Sequence, residues 1–385
     1  MINILFIHQS SDLYGSDKTL LLLLKNLDKS RFNPIVIIPH EGPLKEELEK
    51  QNIKVIVAPV LKLYRKMFTP TNLFKFLKEI RSGVATLDDL NEKYQFDLIY
   101  SNTLAVLLGH FYTRKRKIKH LWHVHEIIES PKIFTRLFCR LLQSSATTKI
   151  VYNSISTQNF WNVNSKIASK SRVIWNGLEF PKNSASVDEI TTIRETFFKS
   201  KPNEIVIALI GRISRWKGQQ LLLNVFNTLS NKHQNIKLVF IGSPPPNQDG
   251  FLEDLKWDIQ KYQLADRVLV IPFQKEIFKF WQSIDIAVVP SIEPEPFGLV
   301  AVEAMLAKKP VIGSNHGGLT EIIINNETGI LVEPNNKNYL AEAISKLIEN
   351  QELREKFGKN GYNRAIKEFS IEKYVQSFEK LFVEL

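Results

Sequence analysis

The feature that most narrows what this chain can fold into is a repeated alternation of short apolar runs with helix-length stretches. Residues 2–8, 33–38, 53–57, 97–100, 120–125 and 149–152 are short, apolar and rich in β-branched side chains, and they read as buried strands of a parallel sheet. Between them, residues 17–27, 43–51, 72–81 and 131–143 have the spacing and length of helices. A polar stretch at 179–186 holds Pro, Asn and Ser but little to bury, and it reads as a linker. The alternation then restarts, with strands predicted at 204–210, 237–241, 267–271, 285–289 and 310–312 and helices at 218–230, 251–262, 276–282 and 297–308. Repeated strand–helix alternation implies a doubly wound α/β sheet. A chain of 385 residues is long for one hydrophobic core and comfortable for two. Two Rossmann-like units in tandem, facing a central cleft, are expected, with ligands outside the carboxyl ends of the strands.

The net charge of +11 is unevenly placed. Residues 1–180 carry 26 Lys and Arg against 15 Asp and Glu, whereas residues 181–385 carry 25 of each. An excess confined to one half suggests an anionic partner for that half. Residues 61–82 mix Phe, Leu, Tyr and Met with Lys and Arg, and residues 111–120 add five more basic side chains. Such stretches suit an anionic membrane interface or a solvated basic face over core aromatics. The single cysteine, Cys139, excludes an intrachain disulfide and fits a reducing compartment. The first fifteen residues lack a basic, then apolar, leader pattern, and no run of about 18 uncharged apolar residues occurs, so neither a signal peptide nor a membrane span is expected.

Two segments of the second half carry chemistry. Residues 207–223 end a strand at Gly211, pass through a basic loop and start a helix near Gly218. Arg212 and Lys217 thus stand at a strand's carboxyl end and a helix's N-terminus, where a planar fork and a point charge could clamp a diphosphate. Residues 290–318 place Glu295 in a loop and Glu303 about two turns into the expected helix 297–308, seven residues apart. A carboxylate at Glu303 suits a ribose diol. The free N–H groups of Phe297, Gly298, Leu299 and Val300 suit phosphates, and Glu295 would reach toward a sugar beyond them.

These segments resemble the E-x7-E signature and the G-R-x(4)-K-G loop of the family 4 glycosyltransferases, retaining enzymes of the GT-B fold. Tyr14-Gly15-Ser16, HVHE at 123–126, VIWNG at 173–177 and GGLTEII at 317–323 fall in the same order, so the resemblance runs over essentially the whole chain. It implies an acceptor-binding domain at 1–180, a sugar-nucleotide-binding domain at 181–366, and a segment at 367–385 whose helix, 371–382, crosses back to the first. It also implies roles: Arg212 and Lys217 on the leaving diphosphate, Glu303 on the ribose, Glu295 on the donor sugar. Gly15 matches the glycine that admits the phosphates, and His125 the histidine facing the sugar. His123 points to the same side of its strand and competes with His125 for that role. Glu126 either orients His125 or caps the next segment. His316 is a specificity candidate, and Glu293 a surface residue stiffened by Pro294 and Pro296.

The expected activity is therefore metal-independent, retaining transfer from a nucleotide-diphosphate sugar, UDP-sugars first and GDP-sugars next. No Asp-x-Asp occurs, no His/Cys/Asp cluster has metal spacing, and no cofactor is expected. The acceptor is expected to be a hydroxyl of a lipid-linked saccharide or envelope polysaccharide precursor, and the location cytoplasmic, peripheral at the inner face of the membrane. Two alternatives are a soluble transferase making a small glycoside or sugar phosphate, and a non-catalytic GT-B module. Nucleic acid is not an expected partner, since no recognition motif for it is present.

Overall fold

A computed structural model describes residues 1–63, 70–114, 116–180 and 184–385, with the side chains of 70–75 and 77 also outside it. Much of the basic segment at 61–82, Lys115 in the segment at 111–120, and residues 181–183 of the expected linker thus lie outside the described residues.

The chain forms two compact units, Met1–Glu179 with Ile371–Leu385, and Phe180–Ser370. The first runs β1 (Ile2–His8), α1 (Gly15–Asn26), β2 (Phe32–Ile38), α2 (Pro43–Lys50), β3 (Lys54–Val57), α3 (Pro70–Tyr94), β4 (Leu98–Asn102) and α4 (Leu108–Thr113). It continues through β5 (Lys119–Val124), α5 (Lys132–Gln143), β6 (Lys149–Tyr152), α6 (Ile155–Trp161), α7 (Ser165–Ala168) and β7 (Ser171–Val173). Its seven strands lie in the order β3-β2-β1-β4-β5-β6-β7, and every pairing is parallel. Both faces are covered, which explains the unbroken apolar runs. Leu5 and Ile7 join one core cluster with Ile35, Ile37 and Trp122. Phe6, between them, turns the other way and meets Tyr100 at 4.7 Å and Phe382 at 6.2 Å between ring centroids.

Phe382 belongs to the last helix, α16 (Ile371–Glu384), which packs on the first unit. Its apolar stripe, Tyr374, Phe378, Leu381 and Phe382, is buried, and Phe382 also touches Phe32. Truncating a buried Phe of this kind costs about 3–5 kcal/mol.

The second unit runs α8 (Val187–Thr192), β8 (Ile205–Ile210), α9 (Gln219–Lys232), β9 (Ile236–Ile241), α10 (Gly250–Lys261), β10 (Val268–Ile271), α11 (Ile277–Ser283) and β11 (Ile286–Val289). It ends with α12 (Leu299–Leu306), β12 (Val311–Ser314), α13 (Leu319–Ile322), β13 (Gly329–Val332), α14 (Lys337–Glu349) and α15 (Gln351–Glu368). The strand order is β10-β9-β8-β11-β12-β13, again all parallel. The order reverses between β1 and β4 in one sheet and between β8 and β11 in the other. At such a switch point the loops leave in opposite directions and open a crevice at the strands' carboxyl ends.

Expected and observed elements differ both in extent and in number. The helix read at 72–81 runs Pro70–Tyr94, because its apolar positions recur well past Arg81. Strands β7 and β13 and helices α4, α6, α7, α8, α13, α14 and α15 were not expected. The helix expected at 297–308 is only Leu299–Leu306, because Gly298 at φ 111° breaks the backbone just before it. Glu303 therefore stands just over one turn into α12, not two.

Two glycines bring the second unit's loops close. Gly218 has φ 81°, and a Cβ there would lie 2.2 Å from the Pro290 carbonyl oxygen. Gly317 has φ 60°, and a Cβ there would lie 2.4 Å from the Glu295 carbonyl oxygen. Either clash falls on backbone, so the loops after β8, β11 and β12 interlock only with glycine at these positions. Gly317→Ala is expected to destabilise the chain by about 1–3 kcal/mol, read by urea denaturation; an unchanged midpoint would mean the loops part easily.

Histidines around β5 are held neutral by burial. His110 is pushed down to about 4, with help from Arg114 and Lys170, and buried His120 lies well below the usual imidazole range. The unfolded chain takes up these protons near pH 6.5 and the folded one does not. Stability is thus lost as pH falls from 6.5 toward 4, by about 1.4 kcal/mol per pH unit for each such histidine. A lower melting temperature at pH 5.5 than at 7.5 is expected, with a smaller drop in His110→Phe; equal drops in both proteins would remove His110 from the account.

Candidate functional site

The second unit's site is built from the loops after β8 and β11, at the switch point. The Ile292 N–H donates to the Trp216 carbonyl at 2.8 Å and stitches the two loops together. Lys217 Nζ stands 2.6 Å from Glu295 Oε1, and the Ser291 hydroxyl donates to the same oxygen at 2.6 Å. Glu295 is 4% exposed. The Lys217 ammonium also lies 4.2 Å from the centre of the Trp216 ring, whose π face attracts a cation. Two residues expected to act on different parts of a ligand are thus ion-paired here, 78 positions apart in the chain.

The other candidates surround this pair. Gln219 donates to the Arg212 carbonyl at 2.7 Å, so the start of α9 holds the backbone of the basic loop. Gly318 donates its N–H to the Glu295 carbonyl at 2.7 Å. His316 lies 2.9 Å from the Ser291 carbonyl through Nε2, which must carry the proton because a carbonyl only accepts. Phe297 is buried just ahead of α12, Gly298 caps that helix, and Leu299 and Val300 open it, where N–H groups precede any intrahelical acceptor. Glu303 accepts from the Trp281 indole N–H at 3.1 Å, and that ring is fully buried. Glu293 pairs with Arg215 on the exposed face of the loop, which fits a surface residue.

The first unit's switch point carries a different chemistry. His8 ends β1, Asn102 ends β4, and the two are register partners; Asn102 is in turn the register partner of His123. His125, just past β5, reaches Asn102 Oδ1 at 2.8 Å, and Asn102 Nδ2 reaches His8 Nδ1 at 2.9 Å. His8 Nε2 lies 2.5 Å from Asp17 in the first turn of α1. His123 separates from His125 in its partners: it is 1% exposed, its Nδ1 meets the Tyr100 hydroxyl at 2.5 Å, and its ring packs on Phe378 at 5.1 Å. Burial drives His125 down to about 3, with His8 adding to the effect. Glu126 accepts from the backbone N–H groups of Leu104 and His125, so it ties two loops rather than turning the imidazole; burial lifts its carboxyl to about 7. Gly15 opens α1, and a Cβ there would meet nothing within 4 Å. Among the described residues, no neighbour requires glycine at this position.

Ser291, Trp216, Trp281, His8, Asp17 and Asn102 were not singled out in the sequence. The strand expected at 97–100 stopped short of Asn102; a buried polar residue at a carboxyl end beside a switch point is the signal that would have found it. Among the described residues, no group of three or more His, Cys, Asp and Glu is arranged to hold a metal, and no helix is long and apolar enough to cross a membrane.

Two family profiles match the chain: Glycosyltransferase Family 4 over residues 14–180 and Glycosyl transferases group 1 over residues 192–364. An uncharacterized glycosyltransferase of Methanocaldococcus jannaschii is 29% identical over 343 residues, which span 88% of this chain and 87% of that protein. The capsular polysaccharide biosynthesis glycosyltransferase CapM of Staphylococcus aureus is 28% identical over 241 residues, 63% of this chain and 60% of its own length. Among solved structures, HepE of Anabaena in complex with UDP-glucose is similar with a TM-score of 0.85 at 25% identity, over 100% of both chains. With one profile on each unit and this fold throughout, the chain belongs to the family 4, group 1 glycosyltransferases and has the GT-B fold.

Proposed function

We propose that this glycosyltransferase moves a sugar, with retention of configuration, from a UDP-sugar to a hydroxyl of a lipid-linked saccharide or envelope polysaccharide precursor. The observation that carries the reading is the Lys217–Glu295–Ser291 cluster at the β8/β11 switch point, beside the open first turn of α12. Arg212 and Lys217 supply positive charge to the departing diphosphate, the role a metal ion would otherwise have, so the reading needs no metal. The N–H groups from Phe297 to Val300 hold phosphate oxygens. Glu303, fixed by Trp281, takes the ribose hydroxyls, and Glu295 takes hydroxyls of the sugar. Gly15 leaves room for a phosphate to approach backbone closely, and His125 faces the sugar. The HepE complex with UDP-glucose supports the donor class, and the likeness to CapM, a capsular polysaccharide biosynthesis glycosyltransferase, supports a polysaccharide acceptor.

The acceptor reading includes an anionic membrane surface. On α5, Lys132, Arg136 and Arg140 are exposed while Phe134, Phe138 and Leu142 are buried, and Ile133 stands 59% exposed beside them. Such a basic row favours the inner face of a membrane, where anionic lipid attracts each cation.

In a panel of UDP-, GDP- and ADP-sugars, UDP-sugars are expected to be hydrolysed or transferred fastest. Lys217→Ala is expected to lower kcat by about 10²-fold or more while donor affinity changes little. Because breaking a buried pair costs about 3–5 kcal/mol, turnover is read per folded molecule. Equal turnover in the variant would sink the assignment. Gly15→Ala should keep the melting temperature and lose turnover; normal turnover would free Gly15 from the donor. Co-sedimentation with anionic vesicles is expected at low salt and lost at high salt, and no binding at low salt would favour a soluble acceptor.

A further inference from the structure

The polar chain at the first unit's switch point has a direction that its geometry alone determines. Asn102 Nδ2 lies 3.3 Å from the Ser16 carbonyl as well as 2.9 Å from His8 Nδ1. A carbonyl oxygen can only accept, so the amide is oriented with its NH2 toward Ser16 and His8 and its oxygen toward His125. His8 Nδ1 then carries a lone pair, and its Nε2–H donates to Asp17. Asp17 is itself held by the Ser10 hydroxyl and the Tyr14 N–H. At the other end, Asn102 Oδ1 only accepts, so His125 Nε2 carries the proton. His8, Asp17 and Asn102 are at most 3% exposed, so water does not compete for these bonds, while His125 is only half-buried.

We infer that Asp17, His8 and Asn102 are positioning residues that lock His125 as the Nε2–H tautomer, leaving Nδ1 to accept a hydrogen bond from a sugar hydroxyl. The role rests on the proposed reading, in which His125 faces the sugar. It makes His125 an acceptor toward substrate rather than an acid or a cation. Burial supports this, since it drives the imidazole far below the pH at which it would charge. It also separates His125 from His123, whose partners are Tyr100 and Phe378 rather than the Asn102 amide.

The test is tautomer-sensitive 15N NMR on the full chain labelled at histidine nitrogens, without donor, with His125→Gln used to assign the signal. The expected result is a single Nε2–H tautomer for His125 in the unsubstituted protein. In Asn102→Leu, which removes the acceptor, shifts between the two tautomers are expected. With a UDP-sugar that the enzyme turns over, the same variant should lose at least about tenfold in kcat with donor KM changed less than about threefold. A merely structural Asn102 would lower the folded fraction without moving the tautomer. An Nδ1–H or mixed tautomer in the unsubstituted protein overturns the inference, whatever the activity. So does normal turnover per folded molecule in Asn102→Leu. If no sugar nucleotide is turned over by the unsubstituted protein, the proposed function fails, while the spectrum still decides the tautomer.

Discussion

The site depends on one constraint, the reversal of strand order in a parallel sheet. All carboxyl ends of a parallel sheet lie along one edge, and most adjacent loops there lean the same way. Only where the order reverses do two neighbouring loops diverge and leave a crevice. In the second unit those neighbours are β8 and β11. Lys217 and Glu295 come together because these strands pair, and no local interaction could have joined them. The same rule in the first unit brings His8 of β1 beside Asn102 of β4.

The two crevices solve the cost of burying polar groups in opposite ways. In the second unit a formal charge pair is buried, and its partners are a hydroxyl, an indole face and backbone drawn in by Gly218 and Gly317. A buried ion pair is tolerated when further hydrogen bonds satisfy its polar atoms, and Ser291 adds a second donor to Glu295 Oε1. Lys217 is thereby held between the Glu295 carboxylate and the Trp216 ring. In the first unit the chain ending at His125 is a run of oriented bonds from Asp17, with charge kept away from the ring. It is suited to ordering neutral hydroxyls.

The parts of this arrangement that were legible in the sequence are those encoded locally. The central strands read correctly because both faces are buried and the apolar run is continuous. Arg212, Lys217, Glu295 and Glu303 were legible because a basic turn between a strand and a helix, and two carboxylates around a helix start, are short-range patterns. Helix α12 was misjudged at its start, since its apolar character continues through Phe297 while Gly298 takes a conformation that no helix residue adopts. Strand β7 has three residues, all only partly buried, and so lacks the apolar signal of its neighbours.

Two of the residues that escaped notice, His8 and Asn102, take their meaning from partners far along the chain. His8 alone is a histidine at the end of a strand, and Asn102 alone is an asparagine before a loop. Their pairing spans 94 positions and exists only because β1 and β4 are neighbours. Trp281 and Glu303 are closer, 22 apart, yet they meet across two different helices, α11 and α12. A motif can single out a carboxylate, but whether that carboxylate is fixed depends on an indole that no spacing rule points to. A positioned side chain is defined by what holds it, and for His125 and Glu303 the holding groups, Asn102 and Trp281, are buried and 22 residues or more away in sequence. The strand order had to be known before His8 and Asn102 could be told from ordinary core residues.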